Sequence, residues 1–436
     1  MHKRKMVRVV LFLIVGSWAV TTLGQFTNFR KEEAMIVLKN AKDEIKKHYY
    51  DTKYHGIDLD AHFKKAEDRV REAQNTGQLF GIIAQSLVDF DDSHLYFLPP
   101  PRMNKYEYGV VFKAYGQDIF ISTVKPESDA MAKGVKPGDR VLSINGFPTI
   151  REKLWVLQYL LYTLRPQPAL HLVLQAPDQP ERTVDVNAKV TTGKQIKDLT
   201  NSSDLNDYLR DQEEQDYLRR QRYEKLGDEI FIWKMPGFDI EEDTVDLMID
   251  RARKCKALIL DLRGNGGGYV VTLQRLVSSV FDREIKIAER QGRKELKPIV
   301  AKKRGVAYDG KIIVLTDSGS GSASEIFAKV IQLEKRGIVI GDRSAGAVME
   351  ARGYFHQFGD STIIPYGFSV TDADVIMSDG KSLERVGVLP DKLLLPSAKD
   401  LAAGRDPVLA AAVVMLGGKL TAEEAGKLFP LEWRKS

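Results

Sequence analysis

The spacing of apolar residues changes character along the chain. From about residue 30 to 95, Ile36, Leu38, Ile45, Phe63, Val70, Leu79, Ile82, Ile83 and Leu87 recur among charged residues, with few glycines or prolines between them. That spacing predicts helices, and the proline cluster of FDDSHLYFLPPP ends them. From Tyr106 the texture becomes short strand-like runs, YGVVFKAY, DIFISTV, DRVLSING and ALHLVLQ, separated by the turns KGVKPGD and NGFP. One apolar helix candidate, LWVLQYLLYTL, lies among them. The stretch 192–227 is charge-dense and poor in large apolar residues, which predicts a solvated helix or linker.

Beyond Asp228 strands and helices alternate: EIFIWKM, a helix in IEEDTVDLMIDRARK, ALILDL, a helix in VVTLQRLVSSVF, KIIVLT, a helix in ASEIFAKVIQLEKRG, and IVIGD. Val245, Met248, Ile249 and Ala252 share one face of the first of these helices. Strands that are apolar throughout, alternating with helices, predict a mainly parallel sheet covered on both sides. Ligands of such sheets bind beyond the carboxyl ends of the strands, where RGNGGG and TDSGSGSASE both lie.

Hydrophobic residues make up 43% and charged residues 29% of the 436, so the chain is neither a disordered polymer nor a polytopic membrane protein. The basic MHKRKMVR followed by VVLFLIVGSWAVTTLG reads as a signal peptide, residues 1–24, with cleavage after Gly24. The expected location is therefore exported, periplasmic or extracellular, with membrane contact only if this segment stays uncleaved. With it go four of the 65 basic residues, Lys3, Arg4, Lys5 and Arg8, and none of the 60 acidic ones; the remaining 61 against 60 leave the chain nearly neutral, with no basic excess to suit nucleic acid. Cys255 is alone and forms no intramolecular disulfide. The remaining divisions expected are 25–100 helical, 101–191 β-rich, 192–227 linker, 228–415 an α/β core and 416–436 a C-terminal tail.

A serine at a helix start, as in TDSGSGSASE, has backbone N–H groups and the positive dipole end beside it, a setting that stabilises an oxyanion; the same residues also suit a plain helix cap. Glycines in RGNGGG let backbone N–H groups approach a substrate. GNGGG lacks the Lys-Ser/Thr ending of a phosphate-binding loop and does not fit GxGxxG. The histidines and the single cysteine show no zinc-ligand spacing, so neither metal nor organic cofactor is expected.

Taken together, LILDLRGNGGG, VLTDSGSGSASEIFA, VIGDRSAG and ERVGVLPD resemble, in chain order, the C-terminal processing (tail-specific) serine protease family, over residues from about 30 to 415. The resemblance implies an α/β multidomain chain: a ClpP/crotonase-like α/β protease core, an N-terminal helical domain and an inserted PDZ-like domain. It makes Ser322 the nucleophile, with the amides of Ala323 and Gly267 forming the oxyanion hole. The Ser/Lys branch of that family carries its base in a TxGKG segment; here the stretch reads SAGAV, with Ala347 where the lysine would stand. The chain is similar instead to the tricorn-like branch, which implies His94 as general base and acid, Ser93 as its orienting partner and Glu384 as the supporting acid. His356, in YFHQFGD, is the other histidine left open as the base.

The PDZ-like resemblance rests on YGVVF, SDAMAKGVKPGDRVLSING and the helix near LWVLQYLL. It implies a site for peptide C-termini at Tyr108, Gly109, Val110 and Val111. The expected activity is peptide-bond hydrolysis through an acyl-enzyme, with polypeptide substrates held through their C-termini. The alternative is a noncatalytic peptide- or ligand-binding protein on the same fold. Natural substrate and oligomeric state are not legible.

Overall fold

The computed structural model describes residues 30–102, 104–192, 221–358 and 364–430. The expected signal peptide lies outside them, as does most of the expected 192–227 linker. Among the described residues no helix is long and apolar enough to cross a membrane.

Three helices open the chain: α1 (Lys31–His48), α2 (Leu59–Glu72) and α3 (Thr76–Val88). Asp58 and Asn75 cap the second and third by accepting from the amides of Ala61 and Gln78. Their buried faces carry Val37, Leu38, Ile45, Phe63, Val70, Phe80 and Ile83, whereas Ile36 faces solvent at 50% exposure. The short strand β1 (Tyr96–Leu98) follows the DDSH turn.

A β-rich unit comes next: β2 (Val110–Tyr115), β3 (Asp118–Val124), β4 (Arg140–Ile144), α4 (Leu154–Gln158), β5 (Ala169–Gln175) and β6 (Glu181–Asn187). The strands form one antiparallel sheet in that order, with β2 at its edge. The apolar stretch YLLYTL continues α4 as π-helical turns rather than as regular α-helix.

The remainder contains β7 (Arg222–Leu226), β8 (Ile230–Lys234), α5 (Glu242–Ala252), β9 (Ala257–Asp261), α6 (Val270–Val280), β10 (Ile285–Gly292), β11 (Ile299–Ala301), β12 (Lys311–Thr316), α7 (Ala323–Leu333), β13 (Ile338–Gly341), β14 (Met349–Phe358), β15 (Ile364–Met377), β16 (Lys392–Leu393), α8 (Pro407–Met415) and α9 (Ala422–Leu428). One sheet has the order β7-β8-β9-β12-β13-β16, parallel except for the β7–β8 pair. Val245, Met248, Ile249 and Ala252 of α5 are buried on it, as their spacing predicts. A second sheet, β1-β15-β10-β11 with β14 on β15, is antiparallel in the pairs that join β1, β10 and β14 to β15.

One expectation is corrected. Arg222–Leu226 form a strand, not a solvated helix or linker. Edge strands tolerate charge because one side meets water, and Tyr223 stacks on Phe231 with Arg251 over its ring. Within the expected C-terminal tail the described residues 416–430 are packed: α9 buries Ala425, and Leu420, Leu428 and Phe429 pack with Ile230, Ile313 and Val413 beneath the parallel sheet.

The helical unit is sewn to the second sheet through β1. Phe97 is paired opposite Phe368, and Tyr366, Phe368 and Val370 of β15 share one core with the three helices. Replacing the fully buried Phe368 with alanine should lower stability by about 3–5 kcal/mol. The check is the urea midpoint of intrinsic fluorescence, and an unmoved midpoint would show that this seam contributes nothing.

Candidate active site

Strands β9, β12 and β13 are neighbours and parallel, so the loops leaving their carboxyl ends are forced together. These loops are RGNGGG, TDSGSGS and DRSAGAV. Asp317 ties the first two, accepting from the amides of Gly264 and Gly319, each at 2.9 Å. The Ser320 hydroxyl donates to Leu262 O at 2.8 Å, and that of Ser324 to Asn265 O at 2.8 Å. The third loop joins through the Ala345 amide on Ser320 O at 2.9 Å.

Ser322 sits at the N-cap of α7 with φ 51° and ψ −119°. Positive φ in a residue with a Cβ is strained and persists only where surroundings enforce it. Two acceptors fix its amide, Ala347 O at 2.9 Å and Glu325 Oε2 at 3.0 Å. The next amide, that of Ala323, has no acceptor among the described residues. Gly267 (φ +101°) lies against this turn: a Cβ there would fall 2.6 Å from the Cβ of Ser322 and 3.0 Å from Ala323 N. The Gly267 amide itself donates to Asn265 Oδ1 at 3.0 Å, so in this state it points to its own loop rather than into an oxyanion site. The amide of Gly268, exposed beside it, has no such acceptor.

Ser93, His94 and Glu384 come together although Glu384 is 291 residues from Ser93. Glu384 accepts from Ser93 N and Ser93 Oγ, both at 2.8 Å, and from Val348 N at 2.9 Å. Ser93 Oγ lies 2.7 Å from His94 Nδ1. With its one hydrogen given to the Glu384 carboxylate, Ser93 must accept from Nδ1–H, which leaves Nε2 as a free proton acceptor. Burial pushes the His94 pKa below its ordinary value, with nearby Arg385 acting the same way and Asp92 against. Burial also raises the Glu384 carboxyl, while the donors from Ser93 and Val348 oppose it.

The Ala347–Val348 peptide connects the two halves. Its carbonyl accepts from the Ser322 amide and its N–H donates to Glu384. No hydrogen bond joins His94 directly to Ser322 in this structure. His356 is committed elsewhere, 3.2 Å from Glu44 and stacked on Tyr366. Lys113 and Lys234, which reach the base of the same loops, are paired with Asp317 and with Asp261.

Asp92 was not singled out by sequence reasoning, yet it is buried and accepts from His94 N and from Thr371 Oγ1, both at 2.8 Å. Its place in DDSH was the only available signal, since Thr371 is remote in the chain. Among the described residues no group of three His, Cys, Asp or Glu side chains is arranged to hold a metal ion.

The sequence profile of peptidase family S41 matches residues 230–394. Residues 230–394 are a domain of peptidase family S41. The matched segment spans β8 to β16 and contains all three loops described above. The chain is similar to the chloroplastic C-terminal processing peptidase of Tetradesmus obliquus, 23% identical over 80% of this chain and 74% of that one. It also resembles the tail-specific protease of Haemophilus influenzae, 25% identical over 58% of this chain and 36% of that protein. Tricorn protease homolog 2 of Streptomyces coelicolor is 28% identical over 38% of this chain, which spans only 13% of that relative. Among solved structures, mature CPAF complexed with lactacystin shares the fold at TM-score 0.63 and 16% identity, over 85% of this chain and 95% of that one.

The closeness of Gly267 to Ser322 gives a direct test. Gly267→Ala must push the serine off its turn, and reaction of Ser322 with a fluorophosphonate should slow about a hundredfold, as misplacement of about 1 Å can do. Unchanged labelling with an intact circular dichroism spectrum would contradict that steric account.

Proposed function

We propose that this chain is an exported serine endopeptidase in which Ser322 is the nucleophile and His94 the base. The observation that carries this reading is the continuous path Glu384–Ser93–His94 tied through the Ala347–Val348 peptide to the amide of Ser322.

In this mechanism His94 Nε2 takes the Ser322 hydroxyl proton as Oγ attacks the peptide carbonyl. The gap between them closes in the substrate complex, as catalytic contacts often tighten there. The oxyanion is received by the free Ala323 amide and an amide of the Gly266–Gly268 loop. His94 then gives its proton to the departing amine, and water, deprotonated by the same imidazole, releases the acyl group. Ser93 and Glu384 hold the Nδ1–H tautomer and offset the imidazolium charge as it forms. A pKa below the usual imidazole value keeps His94 in its basic form at neutral pH.

The β-rich unit, residues 101–191, is read as a PDZ-like module that recruits polypeptide C-termini at Tyr108, Gly109, Val110 and Val111. These residues enter β2, the edge of its sheet, and Gly109 takes φ +70° where a Cβ would meet Ser128 at 2.4 Å. The far end of β2 reaches the nucleophile loop, where Ser318 Oγ donates to Ala114 O at 2.7 Å. The export assignment rests on residues 1–24.

Ser322→Ala should abolish hydrolysis of a denatured-protein substrate and all fluorophosphonate labelling while leaving peptide binding intact. His94→Ala should lower kcat by about 10⁴-fold, the size expected when a serine loses its base, with KM little changed. A wild-type chain that binds peptides yet neither cleaves them nor labels at Ser322 would establish the noncatalytic alternative. In a separate comparison, Ser93→Ala should lower kcat without removing labelling, because His94 remains but loses its orienting partner.

A further inference from the structure

We infer that Glu325 is a positioning residue of this site, its ionised carboxylate holding the Ser344–Ala347 loop and the Ser322 amide in the one arrangement that connects nucleophile to His94. The inference rests on the functional reading above. Glu325 does not touch a substrate: it is fully buried at the start of α7.

Its carboxylate meets four donors. Gly346 N lies 2.7 Å and Ser344 Oγ 2.6 Å from Oε1; Ala347 N lies 2.9 Å and Ser322 N 3.0 Å from Oε2. The Ser344 hydroxyl accepts from Val388 N at 2.6 Å and gives its one hydrogen to the carboxylate, which when ionised can only accept. Three of the four contacts are backbone N–H groups, which cannot accept, and the fourth, Ser344 Oγ, already accepts from Val388 N. A protonated Glu325 would have to give its hydrogen to Ser344 Oγ, reversing that bond and turning the Ser344 hydrogen away, or aim it at an N–H group; either way the cradle loses a donor.

The consequence passes to the reacting groups through the backbone. Ala347, held by Glu325, carries the carbonyl that fixes the strained Ser322, and the following amide fixes Glu384. Releasing the loop therefore loosens the nucleophile and the relay together. Burial, opposed by the four donors, pushes the Glu325 pKa up to about 7, close to neutral pH. The charged groups around it are engaged: Lys329 of the same helix with Asp379, and Asp342 and Arg343 at the head of the loop with Arg151 and Glu152. Glu384 holds the other side of the Ala347–Val348 peptide and is linked through Ser93 to His94, and Arg385 N donates to Gly346 O at 2.8 Å.

The sign follows from the ionised form being the active one: activity is lost as pH falls through the Glu325 pKa, above the range where His94 would impose its own loss. The test is kcat/KM against pH on a fluorogenic peptide for the full chain, Glu325→Gln and Ser344→Ala. The wild-type acid limb should lie near pH 7. Glu325→Gln should lower the plateau at least about tenfold with KM nearly unchanged, and move the remaining limb to lower pH. Ser344→Ala removes one donor and should move the limb to higher pH, which decides the matter even if the glutamine variant does not fold. Limbs that stay in place in the folded variants overturn the inference while leaving the functional reading intact. A wild-type chain inactive at every pH overturns both.

Discussion

One peptide unit, Ala347–Val348, sets the geometry on which the site depends. Its carbonyl and its N–H point in opposite directions, as planarity of the trans peptide requires. On one side it receives the amide of Ser322, and on the other it gives a hydrogen to Glu384. A rigid group of this kind transmits position without a side chain of its own. Alanine suffices at 347 because the residue contributes only its backbone.

That peptide is held because three neighbouring parallel strands deliver their loops to one place and because the loops are bonded to each other rather than to water. Asp317, Ser320, Ser324, Asn265 and Glu325 all spend their polar atoms between loops. Below them lies a buried set of alternating charges. Arg263 bridges Asp261 and Asp406, Lys234 reaches Asp261, and Lys113 reaches Asp317 from the β-rich unit. Burial alone would raise the Asp317 pKa, and the adjacent Lys113 overrides it and holds the carboxyl below its ordinary value. Removing one member would strand its partner's charge away from water, which costs far more than the pair contributes. Rigidity of the loops around Gly267 and Ser322 is thus a matter of satisfied polarity as much as of packing.

The helical unit contributes more than a cover. Strand β1 leaves the DDSH turn and pairs at once with β15, while Asp92 takes both the His94 amide and the Thr371 hydroxyl of that strand. His94 is therefore referenced to the second sheet, and Ser322 to the first. Individual elements were readable in advance wherever local periodicity controls them: α5 buries Val245, Met248, Ile249 and Ala252 because a 3.6-residue repeat places them on one face. Strand β7 was not readable, since an edge strand rich in charge carries no such signal. Nor was α9, whose few apolar residues gain meaning only against Ile230 and Ile313.

By itself the sequence determined the alternation that builds a parallel sheet, the glycine and serine loops at its strand ends, and which residue types stood ready for acyl-transfer chemistry. These are consequences of short-range spacing, which the chain carries wherever it folds. Only the tertiary structure decided that Ser93, His94 and Glu384 meet, that His356 is turned away to Glu44, that the Gly267 amide is given to Asn265, and that Glu325 is enclosed by four donors. Each of those outcomes is a contact between segments distant in the chain or a choice of hydrogen-bond direction. Such contacts depend on which loops the strand order makes adjacent, and no local pattern encodes them.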